Sequence, residues 1–171
     1  MTPLAQKIFK ACHLTGNFKL RSGLNSTEYF DKYAMEADPQ LLKEVTDQLL
    51  PLIPKNIDLL AGLEMGGIPL TTSLSLKSGY PCRFIRKKAK DYGTMRLCEG
   101  GEIKGKKLCL IEDVITTGGQ VIQSCQDLRA LGAQVIHVLC VIFRGKNFKR
   151  FEKENLKLTY LFSLDSFKTS N

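Results

Sequence analysis

The sequence predicts an α/β protein built on an open, mostly parallel sheet flanked by helices, and three observations carry that prediction. Strand-like and helix-like segments alternate from residue 57 onward, the two longest strand-like runs are apolar on both faces, and Gly-rich turns stand where strands pass into helices. Strands that are apolar on both faces are those covered by helices on either side, as in parallel sheets. The 171 residues are 43% hydrophobic and 25% charged, as in an ordinary globular domain. A chain of this length buries roughly 70% of the surface it exposes when unfolded, so its core requires neither disulfide nor metal.

The elements follow in order. Residues 4–12 place Leu4, Ile8 and Phe9 or Cys12 at helical spacing, with Pro3 tolerated in the first turn. Residues 18–20 and 27–33 flank the polar Arg21-Ser-Gly-Leu-Asn-Ser and predict a small antiparallel hairpin. Asp38-Pro39 opens a helix as N-cap and first-turn proline; Leu41, Leu42, Val45, Leu49 and Leu50 form its apolar stripe, and Pro51 and Pro54 end it. Then come a strand at 57–61, a Gly-rich turn at 62–67, a helix at 68–77 and a strand at 82–86. Beyond a basic stretch the alternation resumes with a strand at 107–111, a helix at 120–131 that Gly132 closes, and a strand over Gln134–Phe143.

Composition excludes several classes. The longest apolar run, 135–143, contains His137 and is far short of the ~20 residues a membrane helix needs. The N-terminal segment interleaves lysines with apolar residues, unlike a secretory signal, so a cytoplasmic location is the expectation. Cys12, Cys82, Cys98, Cys109, Cys125 and Cys140 lie apart, without a Cys-x-x-Cys pair and with two histidines in the whole chain, and read as reduced thiols. Cys109 and Cys140, inside apolar runs, act as small hydrophobes. The net charge of +8 points to a polyanionic partner. Much of the excess is local: Arg83, Arg86, Lys87, Lys88, Lys90 and Arg96 face one acid, Asp91, in a single short stretch.

Ligands of open α/β sheets bind beyond the carboxyl ends of the strands, which singles out the turns at 62–67 and 112–120. The second runs Leu108-Cys-Leu-Ile-Glu112-Asp113-Val114-Ile115-Thr116-Thr117-Gly118-Gly119-Gln120. Glycines let backbone N–H groups surround a phosphate, threonines add hydroxyl donors, and a helix N-terminus contributes partial positive charge. Carboxylates at the strand tip accept hydrogen bonds from sugar hydroxyls. An acidic strand end before a capped helix would explain a Thr-Gly pair alone, but the combination describes a ribose 5-phosphate cradle. It lacks the Gly-Lys-Ser/Thr element of a Walker A loop and the Gly-x-Gly-x-x-Gly dinucleotide fingerprint.

This stretch resembles the 5-phosphoribosyl-1-pyrophosphate (PRPP) motif of type I phosphoribosyltransferases. The resemblance extends over most of the chain and is similar in detail to the orotate branch of that family, which makes orotidine 5'-monophosphate and pyrophosphate from orotate and PRPP in pyrimidine synthesis. It implies one type I phosphoribosyltransferase-like domain over 1–171, with an N-terminal hood mainly in 1–35 and a mobile catalytic loop at about 86–102. By resemblance, PRPP is held by Glu112, Asp113, Val114, Ile115, Thr116, Thr117, Gly118, Gly119 and Gln120.

Four further regions carry the likeness. In Leu20-Arg-Ser-Gly-Leu-Asn-Ser-Thr-Glu-Tyr29-Phe30-Asp31, which resembles the hood, Tyr29 and Phe30 would line the orotate site and Arg21 would face PRPP; without the family, such an aromatic pair reads as hairpin packing. Gly62-Leu-Glu-Met65-Gly66-Gly-Ile-Pro resembles the pyrophosphate-binding turn, with the amides of Met65 and Gly66 toward the ligand, although some members carry a lysine where Gly66 stands; the plain reading is a strand-to-helix link. Arg86-Lys87-Lys88-Ala-Lys90-Asp91-Tyr92-Gly93-Thr94 resembles the catalytic loop that closes over a neighbouring subunit's site, with Arg86, Lys87 and Lys90 opposing charge on departing pyrophosphate and Lys88 turned to solvent. Tyr92, at the PRPP site, replaces the histidine of many members, and others share the Asp-Tyr-Gly-Thr form; a charge run alone is otherwise a solvated face. In Phe143-Arg144-Gly145, Arg144 aligns with the arginine that grips the orotate carboxylate, and Thr116 would also touch orotate. Alone, such an arginine is merely structural.

The implied reaction needs positioning and charge stabilisation rather than an acid-base pair. Neither His13, expected to end the first helix, nor His137, expected to pack in its strand, lies in a motif, and no Ser/His/Asp or Cys/His constellation can be assembled. Magnesium is implied as an ion carried by PRPP, without an assigned protein ligand, and a shared loop implies a homodimer. The partners expected are orotate and PRPP, with no membrane. Two rivals remain: a phosphoribosyltransferase for a purine or uracil, which would need neither Arg144 nor the hood, and a regulator of the same fold that binds nucleic acid. The stretch from 144 to 157 holds six bases against Glu152 and Glu154 and would serve the regulator, which leaves the substrate motifs unexplained.

Overall fold

Helix α1 (Pro3–Cys12) begins at Thr2, whose Oγ1 accepts the Ala5 N–H at 3.2 Å, and it buries Leu4, Ala5, Ile8 and Cys12. The computed structural model describes residues 1–20, 23–88, 97–145 and 148–167. Strands β1 (His13–Lys19) and β2 (Asn25–Phe30) form the antiparallel hairpin, longer at its start than the sequence predicts. Tyr33 leaves the hairpin and opens the short helix α2 (Tyr33–Ala37), because the Asp31 carboxylate accepts the Tyr33 N–H at 3.1 Å and the turn buries Met35 completely. Helix α3 (Pro39–Leu49) has the predicted cap: Asp38 Oδ1 accepts the N–H groups of Gln40 and Leu41 at 2.8 and 3.0 Å. Pro51 falls in the 3-10 turn Leu50–Leu52 that ends it.

The alternating half contains β3 (Leu59–Leu63), α4 (Gly67–Ser78), β4 (Cys82–Ile85), β5 (Cys98–Glu99), β6 (Lys107–Ile115), α5 (Gly119–Ala130), β7 (Gln134–Phe143), α6 (Lys149–Lys153) and β8 (Lys157–Ser163). Six strands form one sheet in the order β5-β4-β3-β6-β7-β8, all parallel except β5, which runs antiparallel to β4. Strand β6 extends beyond the predicted end at 111 because β7 continues alongside it: Glu112, Val114 and Ile115 pair with Cys140, Ile142 and Phe143. The sequence gives little sign of β5, α6 and β8; β8 is a half-buried edge strand with one buried position, Phe162, so its apolar pattern is weak.

Helices α5 and α6 cover one face of the sheet, where Val121, Cys125, Leu128 and Phe151 meet Leu108, Leu110 and Val138. Helices α1, α3 and α4 cover the other, where Ile8, Val45 and Leu70 meet Leu60, Cys109 and Ile111. Cys109 and Cys140 are fully buried, as expected of small hydrophobes, and burial pushes both thiols well above their ordinary range. No helix among the described residues is long and apolar enough to cross a membrane.

His137 is packed in its strand, 2.9 Å from Thr159 Oγ1. Burial, aided by the charge of Lys157, lowers its pKa to about 4. Because the unfolded imidazole protonates near 6.5 and the folded one does not, this group costs the fold nothing above about pH 6.5 and opposes folding increasingly as pH falls toward 4. An NMR pH series should show the His137 imidazole still neutral at pH 5; titration near 6.5 would contradict its burial.

Candidate active site

The tip of β6 and the start of α5 build the first half of the site. Gly118, at φ +76°, turns the chain into α5, and Phe151 packs so closely that a Cβ there would lie 2.6 Å from its ring. No side chain caps α5 at Gly118. Its first amides and its partial positive charge are therefore presented to solvent beside exposed Thr116, Thr117, Gly119 and Gln120, as phosphate binding requires. This loop forms one wall of a cavity of about 370 Å³, completed by Lys32, Tyr33, Glu64, Met65, Lys87 and Glu112. Val114 and Ile115 also line it, but their backbones are engaged: the Val114 N–H donates to Asp113 Oδ1, and the Ile115 carbonyl accepts the Arg144 N–H at 2.8 Å.

The sequence treats Glu112 and Asp113 alike, and the structure separates them. Glu112 lines the cavity, whereas the Asp113 side chain is completely buried beneath it. Asp113 Oδ1 accepts a hydrogen bond from Lys32 Nζ at 2.9 Å, and Oδ2 stands 2.6 Å from the same nitrogen. Burial alone would raise the Asp113 pKa, but hydrogen bonds from Glu112 and Lys32 outweigh it and hold the group ionised. Burial and the adjacent Asp113 push Glu112 upward, and they do the same to Glu36 on α2, so both carboxyls favour their protonated forms. For Lys32, burial opposes the ammonium, but the bond to Asp113 prevails and raises its pKa.

The turn after β3 supplies another wall. Met65 is exposed at the cavity and the Glu64–Met65 peptide is cis. Gly66 packs directly on the Asp113 carboxylate, leaving no room for a Cβ. Glu64 Oε1 accepts the Lys87 N–H at 2.7 Å, tying this turn to the base of the basic loop, and the Arg86 N–H donates to the Leu97 carbonyl at 2.9 Å where that loop returns. Lys87 lines the phosphate cavity of its own chain. Arg86 turns elsewhere, its guanidinium 3.9 Å from Glu99.

The second half of the site is a cavity of about 450 Å³ under the hairpin, where Tyr29, Phe30 and exposed Arg144 converge with Phe9, His13 and Phe167. Phe18 stacks on Tyr29 at 5.4 Å, and Phe167 meets Phe30 edge-on, so both aromatics are braced. His13 follows α1 as its C-cap and stacks on Phe9 at 4.5 Å. Thr116 lines the phosphate-loop cavity rather than this one, and the backbone next to Arg144 packs against it: Gly145 approaches the Thr116 carbonyl so closely that a Cβ would lie 2.7 Å from it.

Arg21, Lys90 and Tyr92 lie outside the described residues. Two residues that sequence reasoning passed over join the site. Lys32 follows the aromatic pair directly, and its sole signal was that adjacency. Arg150, from the basic C-terminal stretch, donates from Nη1 to the Thr117 carbonyl at 3.2 Å, placing a cation beside the phosphate loop.

Residues 33–167 match the phosphoribosyl transferase domain family. An orotate phosphoribosyltransferase of Nocardioides sp. is 53% identical over 142 residues, covering 83% of this chain and 79% of that protein. One from Methanocella arvoryzae is 40% identical over 147 residues, covering 85% and 84%. The crystal structure of orotate phosphoribosyltransferase from Mycobacterium tuberculosis superposes with a TM-score of 0.84 over 97% of each chain at 24% identity, a likeness of fold. An exposed Thr/Gly loop at a helix start, a separate aromatic and arginine-lined cavity, and sequence kinship over most of the chain converge: the chain belongs to the phosphoribosyltransferase family, in its orotate branch.

Proposed function

We infer that this chain transfers the 5-phosphoribosyl group of PRPP to N1 of orotate, releasing pyrophosphate and forming orotidine 5'-monophosphate in pyrimidine synthesis. The observation that carries the reading is the uncapped start of α5 beside Glu112, with Gly145, the neighbour of Arg144, packed on the Thr116 carbonyl and a second cavity lined by Arg144, Tyr29 and Phe30. The loop amides and the Thr116 and Thr117 hydroxyls bind the 5-phosphate, and Glu112 accepts from a ribose hydroxyl. The Arg144 guanidinium grips the orotate carboxylate with two parallel hydrogen bonds while Tyr29 and Phe30 bound the base. As N1 bonds to ribose C1 and gives up its proton to water or to the departing pyrophosphate, the C1–O bond breaks and its electron pair leaves with pyrophosphate. Lys87 opposes the charge that builds there.

Magnesium would be carried by the substrate, because pyrophosphate oxygens and water supply the ligands a hard cation takes. Its chemistry when bound is to neutralise pyrophosphate charge. We place the reaction in the cytoplasm, where a reducing medium suits six free cysteines, and assign a homodimer in which the segment beyond Lys88 serves the neighbouring site.

The test is the fall in orotate absorbance when the protein is mixed with orotate, PRPP and magnesium, with uracil, adenine and hypoxanthine run in parallel. Turnover of orotate alone is expected; turnover of another base instead, or of none, would overturn the assignment. Arg144→Ala should raise the KM for orotate roughly 50-fold, the loss of two charge-assisted hydrogen bonds worth about 2–3 kcal/mol together. PRPP affinity should stay within about twofold, because Arg144 lines the other cavity. An unchanged orotate KM would remove Arg144 from the base site.

A further inference from the structure

Among the described residues lining the phosphate cavity, Lys32 and Lys87 are the only cations, and they differ in how they are held. Lys87 stands at the root of the basic loop. Lys32 stands on the segment that follows β2 and is anchored to the sheet by Asp113, a carboxylate with no exposed surface. We propose that Lys32 is a PRPP-binding residue that the hood contributes to the phosphate cavity, a ready-placed cation that meets the pyrophosphate-bearing end of PRPP before any loop closes. The inference rests on the reading of this cavity as the PRPP site.

The geometry supports it in three ways. First, an ammonium has three donors, and the Asp113 carboxylate, with Oδ1 at 2.9 Å and Oδ2 at 2.6 Å, can engage two of them at most, while about a third of the Lys32 side chain remains exposed at the cavity. Second, the anchor is directional. Asp113 is fixed from beneath by the Val114 N–H and from above by the close approach of Gly66, so the ammonium it holds sits beside the Met65-Gly66 turn. Third, the acids around it do not outweigh it. Glu36 and Glu112 are driven toward their protonated forms, leaving Asp113 as the charged partner, so the pair is close to neutral before substrate arrives and can interact favourably with a polyanion. The hood thus serves both substrates, with Tyr29 and Phe30 toward the base cavity and Lys32, two residues on, toward PRPP.

The roles of the two cations should be kinetically distinct. A cation already in place acts on bound PRPP in the ground state, whereas a loop cation acts mainly as pyrophosphate departs. Because Lys32→Met would strand a buried carboxylate and risk the fold, the decisive comparison is Asp113→Asn against the double variant Lys32→Met with Asp113→Asn, which removes both charges. PRPP binding is measured by calorimetry with magnesium, alongside KM and kcat for both substrates and thermal unfolding. The double variant is expected to bind PRPP roughly tenfold more weakly than Asp113→Asn alone, the size of one hydrogen bond to a charged group. Most of the loss should fall on PRPP affinity rather than kcat, the orotate KM should move little, and Lys32→Arg should retain most of the affinity. Equal PRPP binding by the two Asp113→Asn backgrounds, or a parallel loss of orotate affinity, would overturn the proposal while leaving the function intact. Failure of the wild-type protein to bind PRPP would sink the function and this inference together.

Discussion

Replacing Lys87 with alanine is expected to lower kcat by about 10²- to 10³-fold, the usual cost of removing one group aimed at charge that develops in the transition state. The side chain reaches the phosphate cavity because its own N–H is fastened to Glu64 Oε1 at 2.7 Å, so the backbone at the loop's root is set before substrate binds. Pyrophosphate gains negative charge as the C1–O bond breaks, and an ammonium in a cavity from which water is being displaced stabilises that charge far more than in bulk solvent. Binding of PRPP should weaken much less than turnover. Initial rates at saturating orotate and PRPP test the split; an unchanged kcat would exclude Lys87 from the chemical step.

Gly66→Ala should be nearly as damaging, through the fold as well as the site. The backbone of Gly66, near φ −65° and ψ −29°, is one that alanine adopts readily, so conformation is not the obstacle. The obstacle is the Asp113 carboxylate, which occupies the space a Cβ would need. Displacing it breaks the hold on Lys32 and on the Val114 N–H and leaves a buried charge without its partner, a loss of about 3–5 kcal/mol. For a domain of this size that corresponds to a fall in Tm of about 10 °C or more. Calorimetric unfolding and PRPP binding should both register the change, whereas a wild-type Tm would show that Asp113 has room the structure does not reveal.

Local chemistry made much of this protein legible. The Asp38-Pro39 cap, the apolar strand Gln134–Phe143 and the turn into α5 each depend on residues adjacent in sequence, and each occurs as expected. The boundaries that moved were those set by a neighbour: β6 lengthened because β7 pairs with it, and Tyr33 became helical because Met35 needed burial. The basic stretch after Phe143 could be read from composition as a nucleic-acid surface, yet Arg150 is committed to the Thr117 carbonyl.

The order of apolar, acidic and glycine residues along the chain thus sufficed for the fold class and for the strand-to-helix turn at 112–120, because helix capping and side-chain periodicity act over a few residues, and the resemblance of that turn to a known motif sufficed for the family. It did not divide the labour between Glu112 and Asp113, nor bring Lys32 to a carboxylate 81 positions away, nor turn Arg86 toward Glu99 while Lys87 faced the cavity. Those outcomes depend on which groups lose water when helix α2 and the turn before α4 close over the tip of β6. Burial and charge pairing are properties of the assembled chain and leave no pattern in the sequence around either partner.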